Sequence, residues 1–171
     1  MTICKSSSVA VIMGSDSDMP VMQACVDTLG EFGLKPAVRI ISAHRTPVEA
    51  AEFADGAVAA GIKVIIAAAG MAAHLAGSIA ARAACPVIGV PLDSGGPLGG
   101  MDALLSTVQM PPGVPVATMA VGKAGAKNAA VLAVEILAIV DEKLAAKLIE
   151  FRKEQARKVA AKDADLQNRG T

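Results

Sequence analysis

Five short runs of the chain are almost wholly apolar, and longer stretches of helical character separate them. The runs are Val9–Met13, Ala37–Ile41, Lys63–Ala67, Pro86–Val90 and Val116–Val121. A strand with one solvated face alternates apolar and polar residues, whereas a strand covered on both faces reads as a continuous apolar run. The stretches between them, Met19–Phe32, Pro47–Ala60, Ala72–Ala84 and Met101–Val108, have helical patterns. This rhythm predicts an α/β fold: a three-layer α/β/α sandwich around a doubly wound parallel sheet with right-handed crossovers. At 171 residues the chain is read as a single domain, residues 1–171, with its core over about residues 8–140. Apolar residues make up 53% but only three residues are aromatic, all Phe, so Ala, Val, Ile, Leu and Met must fill the interior. That much small apolar surface points to a subunit interface as well as a core.

The punctuation between elements fits the same scheme. Thr46-Pro47-Val48-Glu49 has the form of a capping box, with Pro at the first helical position. Gly33 and Gly61 stand where helices should stop. From Ala124 to about Lys162 the chain reads as continuous helix, with Leu137, Val140, Leu144, Leu148 and Phe151 on one stripe. Its C-terminal helical extension, about residues 141–165, turns strongly charged past Phe151 and exceeds what a five-stranded sheet can cover. It is expected to pack on a neighbouring subunit.

Several classes of function are set aside. Sixteen acidic and sixteen basic residues cancel, which leaves no electrostatic footprint for nucleic acid or an anionic membrane. The longest apolar run, 64–73, is too short to span a bilayer. The stretch Met1–Ser8 has no signal-peptide pattern, so a cytoplasmic location is expected. Cys4, Cys25 and Cys85 lack metal-binding spacing and read as reduced core thiols. No metal site is expected, and no Gly-x-Ser-x-Gly elbow is present.

In open α/β sheets, ligands bind beyond the carboxyl ends of the strands, and four loops here qualify. The first, Gly14-Ser15-Asp16-Ser17-Asp18-Met19-Pro20, offers a Gly for close backbone approach and a helix start for an anion. Its Asp18 suits either a helix cap or sugar hydroxyls. The second, Ser42-Ala43-His44-Arg45-Thr46-Pro47, carries a guanidinium fork matched to phosphate. The third, Gly70-Met71-Ala72-Ala73-His74-Leu75, and the second hold the chain's only two histidines, His44 and His74. Imidazole titrates nearest neutrality and is the default proton carrier. The fourth, Pro91 to Gly100, is Gly/Pro-rich, as lids and ligand clamps often are. Together they form a pocket for a small phosphorylated ligand, with His moving protons.

Met13-Gly14-Ser15-Asp16-Ser17-Asp18, the segment from Ser42 to Pro47, the segment from Ala69 to Leu75, Val108-Gln109-Met110-Pro111 and Gly122 to Ala130 together resemble the class I N5-carboxyaminoimidazole ribonucleotide mutases of bacterial purine biosynthesis. The resemblance runs in order over about residues 8 to 155. It implies a flavodoxin-like sandwich assembled as a homo-octamer, without cofactor or metal. The reaction it implies moves a carboxylate from the exocyclic nitrogen of an aminoimidazole ribonucleotide to ring carbon C4. It assigns Ser15, Asp18 and Arg45 to substrate binding, His44 to proton transfer, and Ser42, Gly70, Ala72, His74 and Leu75 to the lining of the pocket. Gln109, Met110 and Pro111 match positions that the family brings near a neighbouring subunit's site. Three departures stand out: Met71 where a second Gly is usual, Ala76 where Pro is frequent, and Asp16 where Lys is common. The related CO2-dependent carboxylases resemble Ser-Ala-His-Lys in the second loop and Ser-Asn in the third. A non-catalytic nucleotide-binding module is the alternative from another class.

Overall fold

A computed structural model describes residues 7–170, so Cys4 lies outside the described residues. The elements run β1 (Val9–Met13), α1 (Met19–Glu31), β2 (Ala37–Ile40), α2 (Pro47–Gly56), β3 (Val64–Gly70), α3 (Leu75–Ala80), β4 (Val87–Leu92), α4 (Met101–Val108), β5 (Ala117–Thr118), α5 (Lys123–Ala138) and α6 (Glu142–Arg169). The chain falls into two compact units, Met1–Ala133 and Val134–Thr171.

The first unit is the α/β sandwich. Its five strands are all parallel, in the order β2-β1-β3-β4-β5. Both faces of the central strands β1, β3 and β4 are covered, as their unbroken apolar runs require, but the edge strand β2 departs from that expectation, with Val38 and Ile40 exposed. Ala10 and Ile12 of β1 and Ile65 and Ala67 of β3 share one core cluster with Phe53 and Ala54 of α2 and Leu75 and Ile79 of α3. The alternate residues Val9, Val11, Met13, Val64 and Ile66 face the other way and are equally buried. Right-handed crossovers in this strand order put α1 on that second face and α2, α3 and α4 on the first. Each fully buried Ile or Val contributes about 1.5–3 kcal/mol. Cys25 is buried within this unit, and burial pushes its thiol up to about 12; Cys85 is half-buried, its thiol also raised by burial, and both cysteines are free.

Two expected elements differ. The fifth strand shrinks to Ala117–Thr118, although the chain stays beside β4: the Met119 N–H donates to the Gly89 carbonyl and the Gly122 N–H to the Pro91 carbonyl, each at 2.9 Å. The capping box at Thr46 does not form. The Thr46 hydroxyl turns back to Ser42, accepting from its N–H at 3.0 Å and donating to its carbonyl at 3.1 Å. The two bonds to Ser42 close the loop on itself.

The second unit corrects the expectation of one continuous helix. The helix stops at Ala138 and restarts at Glu142, because the Asp141 carboxylate accepts from the N–H groups of Lys143 and Leu144 at 3.0 and 3.1 Å and so caps a new N-terminus. Val140 leaves the apolar stripe and is 80% exposed, whereas Leu144 and Leu148 are buried. Arg152 pairs with Glu135 at 2.6 Å, and Arg157 pairs with Glu150 and Glu154 along the exposed surface of α6.

The close seating of α4 on β4 depends on Gly89. A Cβ there would lie 2.4 Å from the Thr107 methyl and 2.9 Å from a Val116 methyl. Thr107 is buried and held by its hydroxyl to the Ala103 carbonyl at 2.7 Å, so it cannot swing aside freely. Gly89→Ala is expected to lower stability by about 1–3 kcal/mol through overpacking, read as a lower urea midpoint at unchanged slope; an unchanged midpoint would mean that α4 slides without cost.

Candidate active site

The strand order reverses between β1 and β3. The chain leaves β1 toward β2 on one side, and β3, β4 and β5 build out on the other, so the loops after β1 and β3 diverge there. Such a switch point opens a crevice at the carboxyl edge of the sheet. A cavity of about 560 Å³ lies there, within the range of small-ligand pockets. The loop after β1 lines it with Ser15 and Asp18, the loop after β2 with Ser42, His44 and Arg45, and the end of β3 and its loop with Gly70, Ala72, His74 and Leu75. All nine residues singled out in the sequence therefore share one cavity.

The loop after β1 is a single tight turn. The Ser15 N–H donates to Asp18 Oδ2 at 3.1 Å and the Ser17 N–H to Ser15 Oγ at 3.4 Å, a reciprocal capping box over Asp16–Asp18. Asp18 therefore points back at the turn instead of capping α1. Its carboxyl is raised above the ordinary value by burial. The backbone N–H groups of Ser15 and Gly14 and the Arg45 guanidinium pull in the opposite direction. Asp16 is exposed to solvent.

Arg45 ties the first two loops together. Its backbone N–H and its Nε donate to Ser42 Oγ at 3.2 and 3.4 Å, and Nη2 donates to the Gly14 carbonyl at 2.7 Å. With Thr46 also bonded to Ser42, the turn 42–46 is held at both ends. A guanidinium fixed this way presents its remaining N–H groups to an oxyanion with little ordering left to do.

The two histidines meet. His44 Nε2 lies 2.8 Å from His74 Nδ1, with the rings edge-to-face at 83° and their centroids 4.9 Å apart. His74 stands at the N-cap of α3, but its ring makes no capping bond and is left for His44. Both rings are exposed in the open cavity. The arrangement can bind an anion at Arg45 and move one proton through a paired imidazole. Among the described residues no group of three or more His, Cys, Asp or Glu is placed to hold a metal ion.

Ser94 also lines the cavity and was not singled out in the sequence, although its Gly/Pro-rich loop was. Its role shows only in three dimensions: a Cβ on Gly70 would lie 1.9 Å from Ser94 Oγ and 3.2 Å from the Leu92 carbonyl, so the third loop and the fourth touch across a bare backbone. Ala76, at the position where Pro is frequent, is buried in the core face of α3.

The chain matches the family model described as AIR carboxylase over residues 8–158. It is 54% identical over 160 residues to an N5-carboxyaminoimidazole ribonucleotide mutase of Brucella melitensis, covering 94% of this chain and 98% of the relative. It is 53% identical to a protein of the same name from Mycobacterium tuberculosis, covering 93% and 90%. Another so named, from Pyrococcus horikoshii, is 52% identical, with 95% and 90% covered. The crystal structure of Treponema denticola PurE superposes with a TM-score of 0.82 at 30% identity, covering 92% of this chain and 97% of that one.

Met71 carries the one irregularity in the cavity wall. Its φ is +56°, the only positive value at a non-glycine residue among the described residues, and its side chain is 67% exposed. The backbone bends as a glycine would, and a side chain in the left-handed region costs about 1–2 kcal/mol. Met71→Gly removes that strain against about 0.5–1 kcal/mol of added unfolded-state freedom. The variant is expected to gain up to about 1 kcal/mol, read as a higher Tm by calorimetry; a lower Tm would show that the Met71 side chain holds the loop by contact.

Proposed function

The chain belongs to the AIR carboxylase family, and from that premise we propose how its cavity carries out the reaction named in its relatives. It is an isomerase of purine (IMP) biosynthesis that converts N5-carboxyaminoimidazole ribonucleotide to 4-carboxy-5-aminoimidazole ribonucleotide. In our reading Arg45 binds the phosphate, Ser15 and Asp18 hold the ribose side, and Ser42, Gly70, Ala72, His74 and Leu75 shape the pocket around the imidazole. His44 is the general acid and base. The observation that carries this reading is the meeting of an Arg45 braced by two loops and a paired imidazole in one switch-point cavity.

The chemistry needs one proton to go out and come back. Protonated His44 gives its proton to the exocyclic nitrogen as the N–C bond breaks; the bonding electrons stay on nitrogen and CO2 is released. The enamine-like C4 then attacks CO2. The proton displaced from C4 returns to His44, which restores the aromatic ring and the starting state of the enzyme. No redox partner or metal enters this sequence. Gly70 and Ala72 line the cavity and leave room for CO2 beside the ring, and closure over the bound substrate keeps it from diffusing away.

Arg45 and the Ala73-His74 pair favour the mutase over the CO2-dependent carboxylase, which resembles Lys and Ser-Asn at these places. Efficient carboxylation of the aminoimidazole ribonucleotide by CO2 alone, with the carbamate left unused, would reverse that assignment. His44→Asn is expected to cut turnover by about 10²–10⁴-fold while calorimetry still shows the aminoimidazole ribonucleotide binding. Retained turnover would remove His44 from the proton path, and a wild-type protein that binds without turnover would make the chain a binding module.

We further propose a cytoplasmic homo-octamer. Free Cys25 and Cys85 suit a reducing compartment, and no helix among the described residues is long and apolar enough to cross a membrane. Met101, Leu105 and Val108 form an exposed apolar row along α4, and Ile149, Val159 and Leu166 lie exposed on α6. Such surface is what subunit contacts bury. Truncation after Ile139 is expected to break the octamer in sedimentation velocity, and an intact octamer would show that α6 takes no part in assembly.

A further inference from the structure

We propose that His74 is the positioning residue of His44: its Nδ1 lone pair holds the Nε2 hydrogen of His44 throughout the cycle, so that protons exchange only at His44 Nδ1. This rests on the reading of His44 as the acid and base, and it adds which nitrogen acts and what fixes it.

The N···N contact imposes a requirement on both rings. Two imidazole nitrogens 2.8 Å apart need one hydrogen between them. With none, two lone pairs face each other; with two, two N–H groups do. The hydrogen therefore belongs either to His44 Nε2 or to His74 Nδ1, and the choice dictates what remains at the far side of each ring. If His74 donated, neutral His44 would carry its own hydrogen at Nδ1 and would have no lone pair for the C4 proton. If His44 donates, neutral His44 keeps a lone pair at Nδ1, and cationic His44 has an N–H there to give. Both states leave the Nε2–H···Nδ1 bond intact. Only the second arrangement serves both halves of the reaction without breaking the contact.

The surroundings leave this role to His74. Thr46 and Arg45 lock the turn 42–46 through Ser42, but those bonds fix the backbone and the guanidinium, not the imidazole. No other protein group bonds the His44 ring among the described residues. The His74 ring is not used to cap α3, although it stands at the N-cap. A ring held by one directional bond keeps one tautomer and one orientation, which is the task of the carboxylate in a Ser-His-Asp triad, where the wrong tautomer costs about 10⁴-fold in turnover. A neutral ring at this place has a different effect from a carboxylate. It fixes the tautomer without adding a fixed negative charge next to a carboxylated substrate and CO2.

Asparagine and glutamine test the geometry, because the Asn amide falls near the Nδ1 position of a histidine and the Gln amide near Nε2. The contact uses Nδ1 of His74, so His74→Asn can still offer an acceptor oxygen to His44, and His74→Gln cannot from the same place. The kcat of His74→Asn is expected to fall about tenfold and that of His74→Gln or His74→Leu about a hundredfold or more, with KM changed little in each. Equal kcat for Asn and Gln, or losses confined to KM, would overturn the proposal. A second measurement does not depend on the activity of the variants. The chain has two histidines, so ¹⁵N-histidine labelling gives four ring nitrogens, and His74→Asn identifies those of His44. Long-range ¹H–¹⁵N spectra of the free enzyme, at a pH where both rings are neutral, should show His44 as the Nε2–H tautomer; an Nδ1–H tautomer would overturn the proposal. His44→Asn keeps the two readings apart: if it is inactive while His74→Asn and His74→Gln behave alike, the positioning role fails and the acid–base role stands.

Discussion

The reversal of strand order between β1 and β3 is the constraint on which the site depends. A parallel sheet must bury both faces, and right-handed crossovers then dictate on which side each helix lies. When the winding changes direction, the two central loops cannot pack on each other, and an opening remains at the carboxyl edge. The candidate side chains stand at that opening two to five residues past the end of a strand, Leu75 as the first residue of α3. The small side chains follow from the same constraint. Strand β3 ends in Ala69 and Gly70, which line the opening, and a larger residue there would fill it.

Within that frame the site residues are held to different degrees. Arg45 is braced by bonds to Ser42 and Gly14, and Asp18 by the turn that Ser15 closes. The third and fourth loops approach until only hydrogen fits at Gly70. These groups form a rigid frame for a charged ligand, and their ordering cost is met during folding. The raised Asp18 carboxyl reflects the same burial: the oxygen that suits a hydroxyl is partly desolvated before any ligand arrives.

Much of this was legible in the sequence, for a physical reason. Short apolar runs that alternate with longer helical patterns have few meanings, so four of the five strands were placed within a few residues, and the loops followed from the strands. What escaped depended on competition between near neighbours. Thr46 had the capping-box spacing, but its hydroxyl bonds back to Ser42, while the box that forms is Ser15 with Asp18. Asp141 looked like one more polar residue in a long helix until its carboxylate was seen to start a new one. Ser94 could not be read at all, because its importance lies in a distance to Gly70 across two loops. The left-handed turn at Met71 had one sign, the second Gly usual at that place in the family, and the methionine itself adds none.

The paired histidines differ in kind from the other contacts. Arg45 is fixed by a serine hydroxyl and a backbone carbonyl and Asp18 by a backbone N–H, groups that do not titrate, so their geometry is indifferent to the progress of a reaction. His44 is fixed by a second imidazole, a partner whose usefulness depends on where its own proton sits. A backbone carbonyl in that place would always accept and a backbone N–H would always donate. A neutral imidazole does either, and its other ring nitrogen is what settles the choice. In the proposed reading the site separates a frame that recognises charge from a single contact that sets proton direction, and a change in the second need not disturb the first.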